Sequence, residues 1–303
     1  MRAALLFLAP LAVAVGAAYA GTQLFAGLPA IKADVPGVDQ SRVSAPASAP
    51  TETVASTSQE EGFTEPPPPP EPALPSGPLV AIVLTEIGTA PARDLAAIAA
   101  LPGAISLAAA PRAERVSVIA DAARTGGHEL LASLPMEPNA YPRVDPGPLT
   151  LRVGVSPEDN VRSLEAVLDR FEDIDGVTGM MGSRFTRDRA ALAPVMAALS
   201  DRELAYIDQR AVVGSVAEAE ARAAGLASRT NDLFIDEPAT AASIAARLRA
   251  LTATAQERGW AIGYARPLPE TVAALADYAD AAPENGVTLV GVVRLARNLP
   301  DDE

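Results

Sequence analysis

His128-Glu129-Leu130-Leu131-Ala132-Ser133-Leu134-Pro135-Met136-Glu137-Pro138 is the stretch whose reading decides the fold. Its middle, Glu129 to Leu134, is a short apolar run bounded by Gly126-Gly127 before it and by prolines after it. That is the pattern of a strand buried on both faces. Such strands belong to parallel sheets covered by helices, and the polar groups that do chemistry sit where the strands end and loops begin. His128, the only histidine in the chain, falls at the start of its strand, the end that serves stability. Glu137 falls at the other end, where loops gather into a mouth.

Working outward, the same pattern recurs. Leu79 to Leu84, Ala104 to Ala109, Val177 to Met181, Leu204 to Asp208, Leu233 to Asp236, Ala261 to Ala265 and Thr288 to Val293 read as further strands. Helical patterns fill the spaces over Ala92 to Leu101, Arg115 to Thr125, Arg187 to Ser200, Val216 to Ala224, Thr240 to Arg258 and Glu270 to Ala281. Another helix begins after Ser156, an N-cap followed by Pro157 at the first helical position and by Glu158 and Asp159 in the first turn. Alternating strands and helices over residues 79–298 predict an α/β fold, a distorted (β/α) barrel with seven or eight strands.

What precedes this domain reads differently. Residues 1–32 hold Arg2 and then an uncharged, mainly apolar run to Ile31. This is the form of a signal peptide, with Ala18-Tyr19-Ala20 as a cleavage site, or of an uncleaved membrane anchor. Arg2 before the run, with no basic cluster just after it, predicts export of the remainder, to a periplasmic location. Residues 33–78 are rich in Pro, Ala, Ser, Thr and Glu, include Pro66 to Pro70, and read as a disordered linker. The tail, residues 299–303, is acidic and reads as frayed.

Composition narrows the function. Of 303 residues 49% are hydrophobic but only 4% aromatic, so the core is built from Ala, Val, Leu and Ile, as in folds where helices lie close on a parallel sheet. A formal charge of -14 with no basic stripe repels phosphate backbones and argues against nucleic acid as a partner. The absence of cysteine removes disulfides, thiolate nucleophiles and thiolate metal ligands.

Polar groups at the predicted C-terminal strand ends are Thr85, Glu86, Glu137, Arg184, Asp208, Asp236 and Tyr264. In a barrel they converge on one mouth, where carboxylates can act as general acid and base or bind a divalent cation together with a histidine. The catalytic candidates are Glu86, Glu137 and Asp208; the substrate-binding candidates are Arg184, Tyr264 and Arg266. For a metal the candidates are Glu86, Asp236 and His128. The competing reading is that these are ordinary strand-end and helix-capping residues, with His128 bonded to a neighbouring turn and Glu137 ordering its loop.

Taken together, six segments resemble the divergent polysaccharide deacetylase family, a remote branch of the NodB-type carbohydrate esterases. They are Ala81 to Gly88, Gly127 to Pro138, Asp145 to Leu151, Met181 to Thr186, Asp208 to Arg210 and Ala261 to Pro267. The resemblance spans nearly all of Leu79 to Val293. It implies a distorted (β/α) barrel in the cell envelope and, for active relatives, metal-assisted removal of acetyl groups from N-acetylated sugars. Carried over by position, it exposes departures: Thr85 and Glu86 replace an aspartate pair, Gly179 and Met180 stand where relatives place Asn and often His, and Tyr264 stands where they have a histidine.

The expectation is an envelope protein of this family acting in cell-wall glycan metabolism, its own hydrolytic activity weak or lost. The alternative is a non-catalytic module that binds glycan or an envelope protein. Whether it is an enzyme is left open, and a divalent metal is expected only if it is.

Overall fold

The computed structural model describes residues 73–113 and 115–300. The expected signal or anchor segment, the linker up to residue 72 and the last three residues of the tail lie outside the described residues. Within them the strands are β1 (Leu79–Ile87), β2 (Ile105–Ala109), β3 (Leu130–Met136), β4 (Gly176–Met181), β5 (Ala205–Asp208), β6 (Ser228–Thr230), β7 (Leu233–Phe234), β8 (Trp260–Ala265) and β9 (Thr288–Leu289). The helices are α1 (Pro91–Ala100), α2 (Val116–Gly126), α3 (Pro157–Leu168), α4 (Arg189–Ser200), α5 (Ala217–Ala223), α6 (Ala241–Arg258), α7 (Pro269–Ala281) and α8 (Val292–Asn298).

All the strand pairs are parallel, in the order β6-β5-β4-β3-β2-β1-β8-β7, with β9 added beside the start of β1. The sheet curls into an incomplete barrel with helices on its outside. Its interruption lies between β6 and β7, which only Asn231 and Asp232 separate. Among the described residues β6 bonds to β5 alone and β7 to β8 alone, so residues 228–234 hand the ladder from one strand to the other.

Two apolar clusters result from the two-residue alternation of β-strands. In β1, Val80, Ile82 and Leu84 face the helices, whereas Leu79, Ala81 and Val83 face the inside of the curl. Both sets are buried, which is why the strands read as unbroken apolar runs. Ser156 caps α3 as expected, its hydroxyl accepting the Asp159 amide at 3.1 Å.

The last predicted strand is a correction. Only Thr288–Leu289 pairs with β1; after Gly291 the chain becomes α8, whose Val292, Val293, Leu295 and Ala296 fill the inside of the curl. A short apolar run does not by itself distinguish strand from helix, and here a cap built from distant residues decides. The Glu129 carboxylate accepts the amides of Val293 and Arg294, each at 2.8 Å, and Ser106 Oγ accepts that of Val292 at 2.9 Å. The first amides of α8 are thereby satisfied from β2 and from the residue before β3. Burial pushes the Glu129 pKa up, against these hydrogen bonds and one from Ser106, with the Asp175 charge adding to the rise.

Two expectations at the ends of the domain also change. Residues 73–78 of the expected linker belong to the domain: Leu74 packs on the inner cluster and the Ala73 carbonyl accepts Arg294 Nη2 at 2.8 Å. The tail is held where it starts, since the carbonyls of Leu299 and Pro300 both accept Nη2 of the buried Arg229 at 2.8 Å.

Candidate functional site

At the mouth, β3 ends in Glu137, 3% exposed. One carboxylate oxygen accepts Arg184 Nη1 at 2.6 Å and the other accepts the Val153 amide at 2.7 Å. The backbone follows suit: Glu137 N donates to Leu151 O, and the Glu137 carbonyl accepts the amides of Arg184 and Phe185. Glu137 thus ties the loop between β3 and α3 to the loop after β4. Asp236, after β7, is equally engaged. Its Oδ2 accepts Arg266 N at 3.0 Å and Arg266 Nε at 3.1 Å, and its carbonyl accepts Arg266 Nη2 at 3.1 Å.

Between the ends of β1, β2 and β4 lies a cavity of about 370 Å³ lined by Gly88, Thr89, Ala110, Arg112 and Met180 among others. Asp94, fully buried in α1, shapes one wall by accepting the amides of Gly88 and Ala90 at 2.8 and 2.9 Å. Glu86 at the end of β1, Met181 at the end of β4 and Arg210 two residues past β5 have φ of 59°, 64° and 58°. Left-handed backbone costs a residue with a side chain about 1–2 kcal/mol, so Glu86 and Met181 are locally strained at the mouth, and Arg210 at the loop after β5.

The candidates do not form one cluster. The Glu86 carboxylate is exposed and has no hydrogen-bond or ion-pair partner among the described residues. Asp208 lies on the outward-facing side of β5, since Ala205 and Ile207 belong to the inner cluster. Its Oδ2 accepts Ser215 Oγ at 2.7 Å, and its Oδ1 accepts the Arg210 amide at 2.8 Å. Tyr264 points inward, fully buried, with its hydroxyl 2.9 Å from Thr178 Oγ1 and its ring edge-on to Phe234. Burial pushes its phenol far above the usual range. His128 is at the opposite end from the mouth, its Nδ1 2.7 Å from the Ile105 carbonyl oxygen and its Nε2 3.3 Å from that of Ile98.

Of the substrate-binding candidates, Arg184 has 53% of its side chain exposed at the mouth, Arg266 is spent on Asp236, and Tyr264 does not reach the surface. Sequence reasoning did not find Asp94, the cap that Glu129 places on α8, or the outward turn of Asp208. The charged residue beside His128 was the one available signal for the cap.

The class the structure defines is an incomplete parallel (β/α) barrel with Glu137 and Asp236 buried at its C-terminal mouth. The family model for divergent polysaccharide deacetylases matches residues 82–296, and the chain belongs to that family. It is 30% identical to an uncharacterized protein of Haemophilus influenzae over 220 residues, 72% of this chain and 77% of that one. Over 196 residues it is 27% identical to the uncharacterized protein YibQ of Escherichia coli K12, covering 65% of this chain and 60% of the relative. A crystal structure of the uncharacterized protein ATU2773 from Agrobacterium tumefaciens C58 superposes with a TM-score of 0.70 at 32% identity, covering 72% of this chain and 89% of the other.

The residues present do not fit the metal that the family implies. Among the described residues no group of three or more His, Asp or Glu side chains is placed to hold an ion. Glu137 and Asp236 are each neutralised by a guanidinium, Asp208 faces away, and both His128 nitrogens meet backbone carbonyls. A catalytic zinc ion requires about three convergent protein ligands.

Proposed function

We propose that this protein acts in carbohydrate metabolism at the cell envelope, holding cell-wall glycan at the barrel mouth, with metal-assisted N-deacetylation weak or lost. The observation that carries this reading is the pairing of Glu137 with Arg184 and of Asp236 with Arg266. Each arginine supplies the positive charge that a cation would otherwise bring to a buried carboxylate. Both Glu137 carboxylate oxygens already accept hydrogen bonds within the protein, one from Arg184 and one from the Val153 amide. The mouth retains a cavity, an exposed guanidinium at Arg184 and an exposed carboxylate at Glu86, which suit hydroxyl and amide groups of a sugar. Residues 1–32 serve, in this reading, as the export signal or anchor.

The test is elemental analysis of the purified full chain, followed by acetate release from chitooligosaccharide and peptidoglycan fragments with Zn, Mn or Co added. The expected result is less than stoichiometric metal, no acetate, and retention on peptidoglycan that survives a chelator. Stoichiometric metal with acetate release that Glu137→Gln abolishes would overturn it.

The exposure of Met181 and Val144, 40% and 41%, favours a second reading, in which the mouth meets an envelope protein. Retention of such a protein with no retention on peptidoglycan would select it.

A further inference from the structure

In a (β/α) barrel each strand is followed by a helix that covers the outer face of the sheet. Between β6 and β7 there is none, and only Asn231 and Asp232 connect them. A cleft of about 420 Å³ opens there, lined by the loop after β5, by α5, and by the step where residues 228–234 pass from β5 to β8. Its size is in the range of small-molecule sites.

The charges in this cleft cancel. Glu218 pairs with Arg222 at 2.8 Å and Asp232 with Arg258 at 2.6 Å. Asp208 has Ser215 Oγ and the Arg210 amide, and the Arg210 side chain, which also lines the cleft, has no partner among the described residues. A free cation or anion gains little from such a lining. Thr230 Oγ1 donates to Glu218 and Ser215 Oγ to Asp208, while Arg258 donates to Asp232 and to the Trp260 carbonyl; what remains is further acceptor capacity on the Asp208 and Glu218 carboxylates beside the Arg210 guanidinium. Sugar hydroxyls donate and accept at once, so this lining matches them. One wall is Trp260, with the Arg258 guanidinium 3.6 Å from the ring centroid.

Arg210 strengthens the assignment. Its φ of 58° is a conformation that glycine adopts freely and a long side chain does not. This turn places the guanidinium at the rim of the cleft.

We propose that this cleft is a second binding site, on the outer wall of the barrel, for a neutral saccharide, with Arg210 and Glu218 as its hydrogen-bonding residues. It does not depend on the reading of the mouth.

Trp260 is the only tryptophan in the chain, so its fluorescence reports on this cleft. The full chain is titrated with chitotetraose, cellotetraose and maltotetraose. The expected result is a saturable emission change with at least one of them. Arg210→Gly, which removes the guanidinium while relaxing the backbone, weakens binding by about tenfold or more, and Glu218→Gln weakens it as well. Arg170→Ala, at an exposed position just past α3, leaves it within about twofold. No emission change with any of the three saccharides overturns the proposal. So does a change that Arg210→Gly and Glu218→Gln leave untouched.

Discussion

The Arg184 guanidinium lies 2.6 Å from the Glu137 carboxylate, and the two are unequally buried, with 53% of the arginine side chain in solvent but only 3% of the glutamate's. Removing the arginine leaves a buried charge with the Val153 amide as its remaining donor; removing the glutamate's charge leaves an arginine that water can solvate. Arg184→Ala is therefore expected to destabilise the domain by about 1–3 kcal/mol, and Glu137→Gln by less. The double variant should be no less stable than Arg184→Ala, a non-additivity that urea denaturation at neutral pH would measure. Equal costs for the two single changes would show that the ion pair does not order the loops.

Glu129 makes stability depend on pH in a defined direction. Its folded-state pKa is raised above the ordinary value of 4.5, chiefly by burial, so the folded chain binds the proton more tightly than the unfolded one. The contribution is fully present below pH 4.5 and is lost as pH rises through the folded pKa. The stability of the native chain relative to Glu129→Gln should therefore fall as pH rises above 4.5 and then level off. Denaturation curves of both proteins from pH 4 to 8 test this, and a difference that rises with pH would contradict it.

Two buried tyrosines should respond oppositely to loss of the hydroxyl. Tyr206 Oη is buried with no hydrogen-bond partner among the described residues, whereas Tyr264 Oη bonds Thr178. Tyr206→Phe is expected to be neutral or stabilising by up to about 1 kcal/mol, and Tyr264→Phe to cost about 1 kcal/mol. Thermal denaturation of the pair would reveal a reversed order if the hydrogen bond is unimportant.

Met181 holds a φ of 64° and is 40% exposed, so glycine there relieves strain and forfeits little packing. Met181→Gly should stabilise the domain by about 0.5–1 kcal/mol. If the thioether serves the mouth, retention on peptidoglycan should weaken in the same variant. A destabilised variant with unchanged retention would make Met181 a packing residue.

Much of the architecture was legible because it is written locally. Leu79 to Leu84 and Ala261 to Ala265 are short apolar runs of the length of a strand buried on both faces, and Ser156-Pro157 announces a helix start by capping chemistry alone. Thr288 to Val293 was misread because its apolar residues suit either a strand or a plug. The choice of helix was made by Glu129 and Ser106, both more than 150 residues away in sequence. The site was less legible still. Glu137, Asp208 and Asp236 all follow from strand ends, but which way each side chain turns depends on pleat, bulge and loop return.

By itself the sequence determined the order of strands and helices, the family and the two roles available to the stretch from His128 to Pro138, because periodicity and capping act over a few residues. Only the tertiary structure decided that Glu129 at one end caps the helix filling the barrel, that Glu137 at the other is held by Arg184, and that Asp208 opens onto a separate cleft. Those outcomes depend on burial and on partners far apart along the chain, whose mutual approach exists only once the sheet has curled.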